Sequence, residues 1–232
     1  MRTIGFTSPA QIAVLPRAPI NGSPVPWLTS LYHKAARGPY GDSRYPGNCC
    51  GTLIRDLLLY FQAKNVLDPM SGSGTCRDVC DELDIPCRSD DIRFGFDACD
   101  ERNYEGIGPF DFIWLHPPYW RMKRYTGDAR DMSGAPTLPY FLHRYRELIA
   151  NCAKVLADDG KLAILMGDYS DFAAGFVPLT YWTKRIAFET GLSQACTDII
   201  RFSHGASSSR KVYRSSFIPG LHDTCMVFQK RN

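Results

Sequence analysis

The sequence lacks an apolar run long enough to cross a membrane, and its first residues lack the hydrophobic core of a secretion signal. Its nine cysteines include no CxxC pair and have no neighbouring His pair, so their spacing argues against a zinc site. Nothing indicates the oxidising environment in which disulfides persist. We therefore expect a cytoplasmic protein with reduced structural thiols, no bound metal and no membrane partner.

Composition sets few further limits. The chain has 232 residues, 44% of them hydrophobic, and a mean hydropathy of −0.23, which is ordinary for a globular protein. Neither an internal repeat nor a shift in composition divides it, so one α/β domain is expected over residues 41–232. The net charge of +3 permits nucleic-acid binding but does not argue for it.

Three segments are predicted to lie outside the regular elements. Residues 1–40 are expected to form an irregular arm, with at most one short strand or helix, because proline recurs too often there. Aromatic and basic side chains near the end of the arm, such as Trp27 and Lys34, can pack onto the domain or contact a polyanion. Residues 121–137 and 203–220 are polar and basic, and they are predicted to be long loops.

Elsewhere, short apolar runs alternate with amphipathic helical patterns. The predicted strands are 65–68, 86–91, 95–99, 111–115, 161–166, 197–202 and 224–230. The predicted helices are 51–63, 75–83, 140–156 and 178–190. This alternation predicts a mostly parallel sheet with helices on both faces.

The first motif follows the strand 65–68 and reads Asp68-Pro69-Met70-Ser71-Gly72-Ser73-Gly74-Thr75. Its two glycines allow a ligand close to the backbone, and the next helix begins with unpaired N–H groups that suit a carboxylate. The spacing differs from the GxGxxG fingerprint, and the turn lacks the lysine of a P-loop. Asp68 would repel phosphates but could hold an ammonium group. A ligand with both groups, such as the methionyl part of S-adenosylmethionine, satisfies both requirements.

A pair of carboxylates ends the strand 86–91. Asp91 is placed to accept the ribose hydroxyls of such a cofactor, and Asp90 would do so if the strand register shifted by one. The alternative to a cofactor site is a tight strand-to-helix turn with a solvated Asp68.

The second motif is His116-Pro117-Pro118-Tyr119, which follows the strand 111–115. Two prolines fix the backbone and leave carbonyl oxygens free to accept hydrogen bonds. A carbonyl and the side chain of His116 could hold a planar amino group by its two hydrogens, which directs the nitrogen lone pair at an electrophile. Tyr119, with or without Trp120, could stack on a planar ring such as a base flipped out of DNA. A proline-terminated strand with packing aromatics is the alternative interpretation.

The two motifs together resemble those of the amino-group DNA methyltransferases, which use S-adenosylmethionine to methylate adenine N6 or cytosine N4. The family usually has Phe where this chain has Met70, and Asp, Asn or Ser where this chain has His116. The turn Tyr45-Pro46-Gly47-Asn48 is similar to the family segment that closes on the methionyl end, and residues 222–228 are similar to its last, antiparallel strand.

This resemblance implies a seven-stranded Rossmann-like sheet with an antiparallel last strand, and direct methyl transfer to the amine of a flipped DNA base. Adenine N6 is favoured over cytosine N4 because it is the commoner target in the family. The implied cofactor residues are Tyr45, Pro46, Asn48, Asp68, Pro69, Met70, Ser71, Gly72, Ser73, Gly74, Thr75 and Asp91, with Ile92 and Asp97 at the adenine. The implied catalytic residues are His116, Pro117, Pro118 and Tyr119.

Double-stranded DNA is the expected partner, and a homodimer is left open. The side chains expected to contact the substrate are Trp120, Arg121, Lys123, Arg124, Arg210 and Lys211. Methylation of an RNA or protein amine, or binding of cofactor and DNA without catalysis, are the alternatives. Cytosine C5 methylation is disfavoured, because the one Pro-Cys pair, Pro86-Cys87, lies in a predicted strand.

The substitution at His116 has a consequence for pH dependence. A neutral imidazole can accept a hydrogen bond from an amine, whereas an imidazolium cannot. Activity is therefore expected to fall at acidic pH. A flat profile between about pH 5 and about pH 8, where an unperturbed histidine titrates, would argue against the role.

Overall fold

The computed structural model describes residues 20–34, 38–202, 218 and 220–231. Its helices are α1 (Gly51–Phe61), α2 (Thr75–Glu82), α3 (Leu138–Val155) and α4 (Leu179–Glu189). Each lies within two residues of its predicted bounds at both ends. None of these helices combines the length and the apolar character needed to span a bilayer.

The described strands are numbered in chain order. They are β1 (Leu31–His33), β2 (Val66–Asp68), β3 (Cys87–Ser89), β4 (Phe110–Leu115), β5 (Leu156–Met166), β6 (Tyr169–Asp171), β7 (Gly175–Val177), β8 (Leu192–Gln194), β9 (Ile199–Phe202) and β10 (His222–Lys230). Strands β6 and β7 form a separate antiparallel hairpin. The other eight form one sheet.

The order in this sheet is β1-β9-β10-β5-β4-β2-β3, with β8 paired to β10. Neighbours among β3, β2, β4 and β5 are parallel, and β1 is parallel to β9. Strand β10 is antiparallel to its neighbours β5, β8 and β9. Among the described strands of this sheet, β10 therefore runs against all the others, which confirms the predicted mostly parallel sheet with an antiparallel last strand.

The predicted number of strands, seven, is one too few. Strands β1 and β8 join the sheet, whereas the predicted strand 95–99 is a turn. After Asp91 the chain enters a 3-10 turn, Ile92–Phe94, and Gly95 ends it with φ at 93°. The N–H groups of Phe94 and Phe96 both donate to the carbonyl oxygen of Asp91. These local hydrogen bonds satisfy the backbone without a neighbouring strand.

Strand β4 shows why helices cover both faces of the sheet. Its side chains alternate, so Phe112 and Trp114 pack with residues of α1 and α2, while Ile113 and Leu115 pack with residues of α3 and α4. All four side chains are buried. A strand covered on both faces needs a continuous apolar run, which is the pattern of this segment of the sequence.

Candidate active site

A cleft opens where β2 and β4 end, at the carboxyl edge of the parallel strands. Its volume is about 630 Å³ with the mouth included. Among the expected cofactor residues, the cleft is lined by Tyr45, Asn48, Asp68, Met70, Ser71, Gly72, Ser73, Thr75, Asp91 and Ile92. It is also lined by His116 and Pro118 of the second motif. The fold thus brings the two motifs into one cavity, although a helix, two strands and two 3-10 turns separate them in the chain.

The turn between β2 and α2 contains two glycines in backbone conformations that other residues rarely adopt. Gly72 has φ at 52° and Gly74 has φ at 83°, both in the left-handed region that favours glycine. A Cβ atom on Gly72 would lie 3.1 Å from Cε1 of Tyr45, on the facing loop. Helix α2 then begins at Thr75, which lines the cleft, so its N-terminal N–H groups lie at the edge of the ligand space.

Asp68 is a buried carboxylate at the end of β2, with 2% of its surface exposed. Its Oδ1 accepts a hydrogen bond from the N–H of Met70 at 3.2 Å. Burial raises the pKa of Asp68 well above its usual range, because the charged form has lost hydration. A cationic group in the cleft would favour the ionised form, so the side chain is suited to an ammonium partner.

Asp91 connects the glycine turn to the end of β3. Its Oδ2 accepts from the N–H of Gly72 at 2.9 Å, and its Oδ1 accepts from Nε of Arg93 at 2.8 Å. The other carboxylate of the pair, Asp90, instead accepts from Nε of Arg88 at 2.6 Å. The structure therefore places Asp91, and not Asp90, in the wall of the cleft.

The turn 45–48 closes the opposite side of the cleft. The hydroxyl of Thr75 donates to Oδ1 of Asn48 at 2.7 Å, which joins this turn to the start of α2. The ring of Tyr45 stacks on that of Tyr125 with 5.9 Å between centroids, and the guanidinium of Arg93 lies 4.9 Å from the Tyr45 centroid. The two tyrosines line the cleft, and a wall of stacked rings is suited to flat ligand groups.

His116 follows β4 directly and is partly buried. Its Nε2 lies 3.2 Å from the hydroxyl oxygen of Tyr119, and the imidazole tautomer decides which of the two donates. Burial lowers the pKa of His116 to about 4; the nearby Arg201 guanidinium acts in the same direction, and the Asp223 carboxylate opposes it. The imidazole is therefore neutral at physiological pH and can accept a hydrogen bond.

Trp120 lies deeper than His116, whereas Tyr119 is partly buried, as His116 is. The ring of Tyr119 packs on Gly167, where a Cβ atom would come within 2.7 Å of Cε2 of the tyrosine. Trp120 is 4% exposed, and its Nε1 donates to the carbonyl oxygen of Ala135 at 3.1 Å. Trp120 therefore packs inside the domain rather than in the cleft, which corrects its expected contact with the substrate.

Other expected site residues lie off the cleft. Asp97 accepts from Nη2 of Arg144 through both carboxylate oxygens, each at 2.7 Å. The carboxylate is therefore paired with a side chain of α3. Arg121, Lys123 and Arg124 are exposed on the segment after the second motif. Residues that do not line the cleft also include Pro46, Pro69, Gly74, Pro117 and Tyr119. Arg210 and Lys211 fall outside the described residues.

A buried ion pair beside the second motif was missed at the level of sequence. Arg201 on β9 and Asp223 on β10 are directly opposite in the antiparallel register, and Nη2 of the arginine donates to Oδ2 of the aspartate. The side chains are 14% and 9% exposed, and Nε of Arg201 is buried without a hydrogen-bond partner in the described ranges. A lone arginine within an apolar strand was the available signal. Its partner could not be found without the strand register.

No family model matches the sequence, and no curated protein matches it. An S-adenosylmethionine-dependent methyltransferase from Archaeoglobus fulgidus is similar in structure, with TM-score 0.49, 16% identity and coverage of 78% of this chain and 92% of that one. A Thermus thermophilus protein whose name proposes a DNA modification methylase, complexed with S-adenosyl-L-methionine, has TM-score 0.42 and 18% identity, covering 59% of this chain and 54% of that one. TrmN from Thermus thermophilus has TM-score 0.43 and 16% identity, covering 80% of this chain and 50% of that one. The chain spans about half the length of the last two structures.

Proposed function

We propose that the protein transfers a methyl group from S-adenosylmethionine to the exocyclic amine of a DNA base, with adenine N6 favoured and cytosine N4 as the alternative acceptor. The observation that carries this proposal is that the glycine turn after β2 and His116 after β4 line one cleft. Direct transfer needs donor and acceptor sites side by side, because the reacting atoms must approach to about 3–3.5 Å.

The first half of the cleft fits the methionyl end of the cofactor. Asp68 supplies a buried carboxylate for the ammonium group, and the start of α2 supplies N–H groups for the carboxylate. Gly72 leaves the space that a Cβ atom would fill. Asp91 can still accept a ribose hydroxyl, since each carboxylate oxygen has more than one acceptor site. When bound, the cofactor supplies an electrophilic methyl group.

The second half fits an amino group. Neutral His116 would accept a hydrogen bond from the target amine, and the amine would share or displace the Tyr119 hydroxyl that lies 3.2 Å from Nε2. With a pKa of about 4, the imidazole orients the amine but does not retain a proton at neutral pH. The proton lost by the methylated nitrogen therefore ends in solvent.

DNA is proposed as the substrate because the motifs resemble those of the amino-group DNA methyltransferases. Exposed basic side chains follow the second motif, at Arg121, Lys123 and Arg124. Such side chains can position a phosphate backbone without reading its sequence.

A labelling experiment tests this assignment. The protein is incubated with tritiated S-adenosylmethionine and, in separate reactions, duplex DNA, tRNA or protein extract, and labelled DNA is digested to nucleosides. Label in N6-methyladenine supports the proposal, and label in N4-methylcytosine selects the alternative acceptor. Label confined to RNA or protein contradicts the DNA substrate. Measured cofactor binding with no label in any substrate contradicts catalysis.

Gly72→Ala is expected to weaken S-adenosylhomocysteine binding by about tenfold or more, since the new Cβ atom disturbs Tyr45 across the cleft. Isothermal titration calorimetry measures the affinity. The left-handed φ should also cost about 1–2 kcal/mol of stability.

Gly175→Ala is the matched control. Gly175 has φ at 68° but has open space where its Cβ atom would be, in the hairpin β6–β7. It should lose similar stability in urea unfolding and keep the wild-type affinity. Unchanged affinity in Gly72→Ala would mean that the ligand does not approach this turn.

A further inference from the structure

Three thiols that are separated in the sequence meet between α2 and β3. Cys76 and Cys80 lie one turn apart on α2, and Cys87 begins β3. Their three Sγ atoms all lie within 4.8 Å of one another. The spacing alone gave no zinc motif, because the third thiol joins the pair only when β3 is placed beside β2 and α2 packs on it.

The geometry is close to that of a metal–thiolate site. Zinc binds thiolate sulfur at about 2.3 Å, and tetrahedral ligands then stand about 3.8 Å apart. The observed spacing therefore requires sulfur movements of about 1 Å or less, which rotation about χ1 can supply. Two of the thiols, on Cys76 and Cys80, are held in a buried position, and Cys87 is partly exposed, so an ion can enter from its side.

The thiols already interact with one another. The side chains of Cys76 and Cys87 both hydrogen-bond to that of Cys80. The guanidinium of Arg77 is near this cluster, since Nη2 donates to the carbonyl oxygen of Ser89 at the end of β3. A divalent cation with three thiolates carries one net negative charge, which a nearby guanidinium would offset.

We propose that Cys76, Cys80 and Cys87 bind a thiophilic divalent cation of the Zn²⁺ class, with the fourth coordination position open to solvent. Three sulfur–metal bonds form, and the protons of the thiols are released to the buffer. This proposal does not depend on the proposed reaction, although Cys76 also lines the cleft. An ion at this position would connect α2 to β3, the two elements that carry Thr75 and lead into Asp91.

The test uses the full chain, reduced and stripped of metal under anaerobic conditions. Cd²⁺ serves as an optical probe, because cadmium–thiolate bonds give an ultraviolet charge-transfer band. We expect a band that saturates at one ion per chain and is removed by competing Zn²⁺ but not by Mg²⁺. The melting temperature should rise with Zn²⁺ concentration, since the ion binds the folded state.

Cys80→Ser and Cys87→Ser should each reduce the band and the shift in melting temperature by at least about half. Cys87→Ser is the variant more certain to fold, because its side chain is partly exposed. Cys225→Ser is the matched control, since Cys225 is buried but lies outside the cluster. It should bind Cd²⁺ as the wild type does, and circular dichroism checks that each variant is folded.

Three results would overturn the proposal. The first is a reduced wild-type protein with neither a band nor a shift in melting temperature. The second is unchanged binding in both cluster variants. The third is mass-spectrometric detection of a disulfide between Cys87 and either helical thiol in protein purified without reductant, because the cluster would then be a redox pair.

Discussion

Replacing Asp223 with asparagine is expected to destabilise the fold by about 3–5 kcal/mol, because it leaves the buried charge of Arg201 uncompensated. Asparagine keeps the shape of the side chain, so the loss of stability would come from the missing charge and not from a cavity. Arg201 has no second acceptor nearby to replace Asp223, since its Nε already lacks a hydrogen-bond partner among the described residues. Urea unfolding, followed by far-ultraviolet circular dichroism, measures the change.

The control for this prediction lies at the other end of the same strand. Lys230 on β10 pairs with Asp158 at 3.1 Å, and the Asp158 side chain is fully exposed. Asp158→Asn should therefore leave the urea midpoint unchanged. The double variant Arg201→Met with Asp223→Leu should recover much of the loss, because neither charge remains buried. An unchanged midpoint in Asp223→Asn alone would mean that the pair is hydrated in solution.

The fold was largely predictable because its helices and buried strands carry their own periodic patterns. The apolar run of β4 and the amphipathic face of α1 follow directly from burial on one or both sides. The turn 95–99 was mistaken for a strand, since hydrogen bonds to the carbonyl oxygen of Asp91 and the left-handed Gly95 do not alter the apolar pattern. Strands β1 and β8 are three residues each, too short to show a period.

Positions in the candidate cleft were predictable where one segment supplies them. Most residues of the glycine turn 68–75 line the cleft, and so does His116. Features that need two distant segments were missed, because neither segment alone has an unusual pattern. The pair of Arg201 and Asp223 depends on antiparallel register, and the approach of Cys87 to α2 depends on the order of the parallel strands.

The structure also revises the pH dependence expected for His116. An unperturbed histidine would lose acceptor capacity near its usual pKa of 6.5, but burial lowers that pKa to about 4. The neutral form exists above the pKa, so it persists across the range in which the sequence alone predicted a loss of activity. A flat profile between about pH 5 and about pH 8 is now the expected result for this residue.

His116→Ala is accordingly expected to lower the single-turnover rate of methyl transfer by about 100-fold or more, with little change in cofactor affinity, because it removes the acceptor that orients the amine. His116→Asp and His116→Asn restore an acceptor and should retain a larger share of the rate than alanine. In the wild type the rate should stay level down to about pH 5 and decline towards the pKa of about 4. The decline should be absent in His116→Asn.

The stability of the fold at acidic pH independently tests the pKa of the His116 imidazole. Between pH 6.5 and about 4, the unfolded chain binds a proton that folded His116 does not, so stability should fall as pH decreases through this window. The full effect is about 3–4 kcal/mol, and His116→Asn should lack it. Urea midpoints at several pH values measure the difference between the two proteins. Parallel curves, or a wild-type rate that already declines near pH 6.5, would show that the imidazole is hydrated and that its neutrality is not enforced by burial.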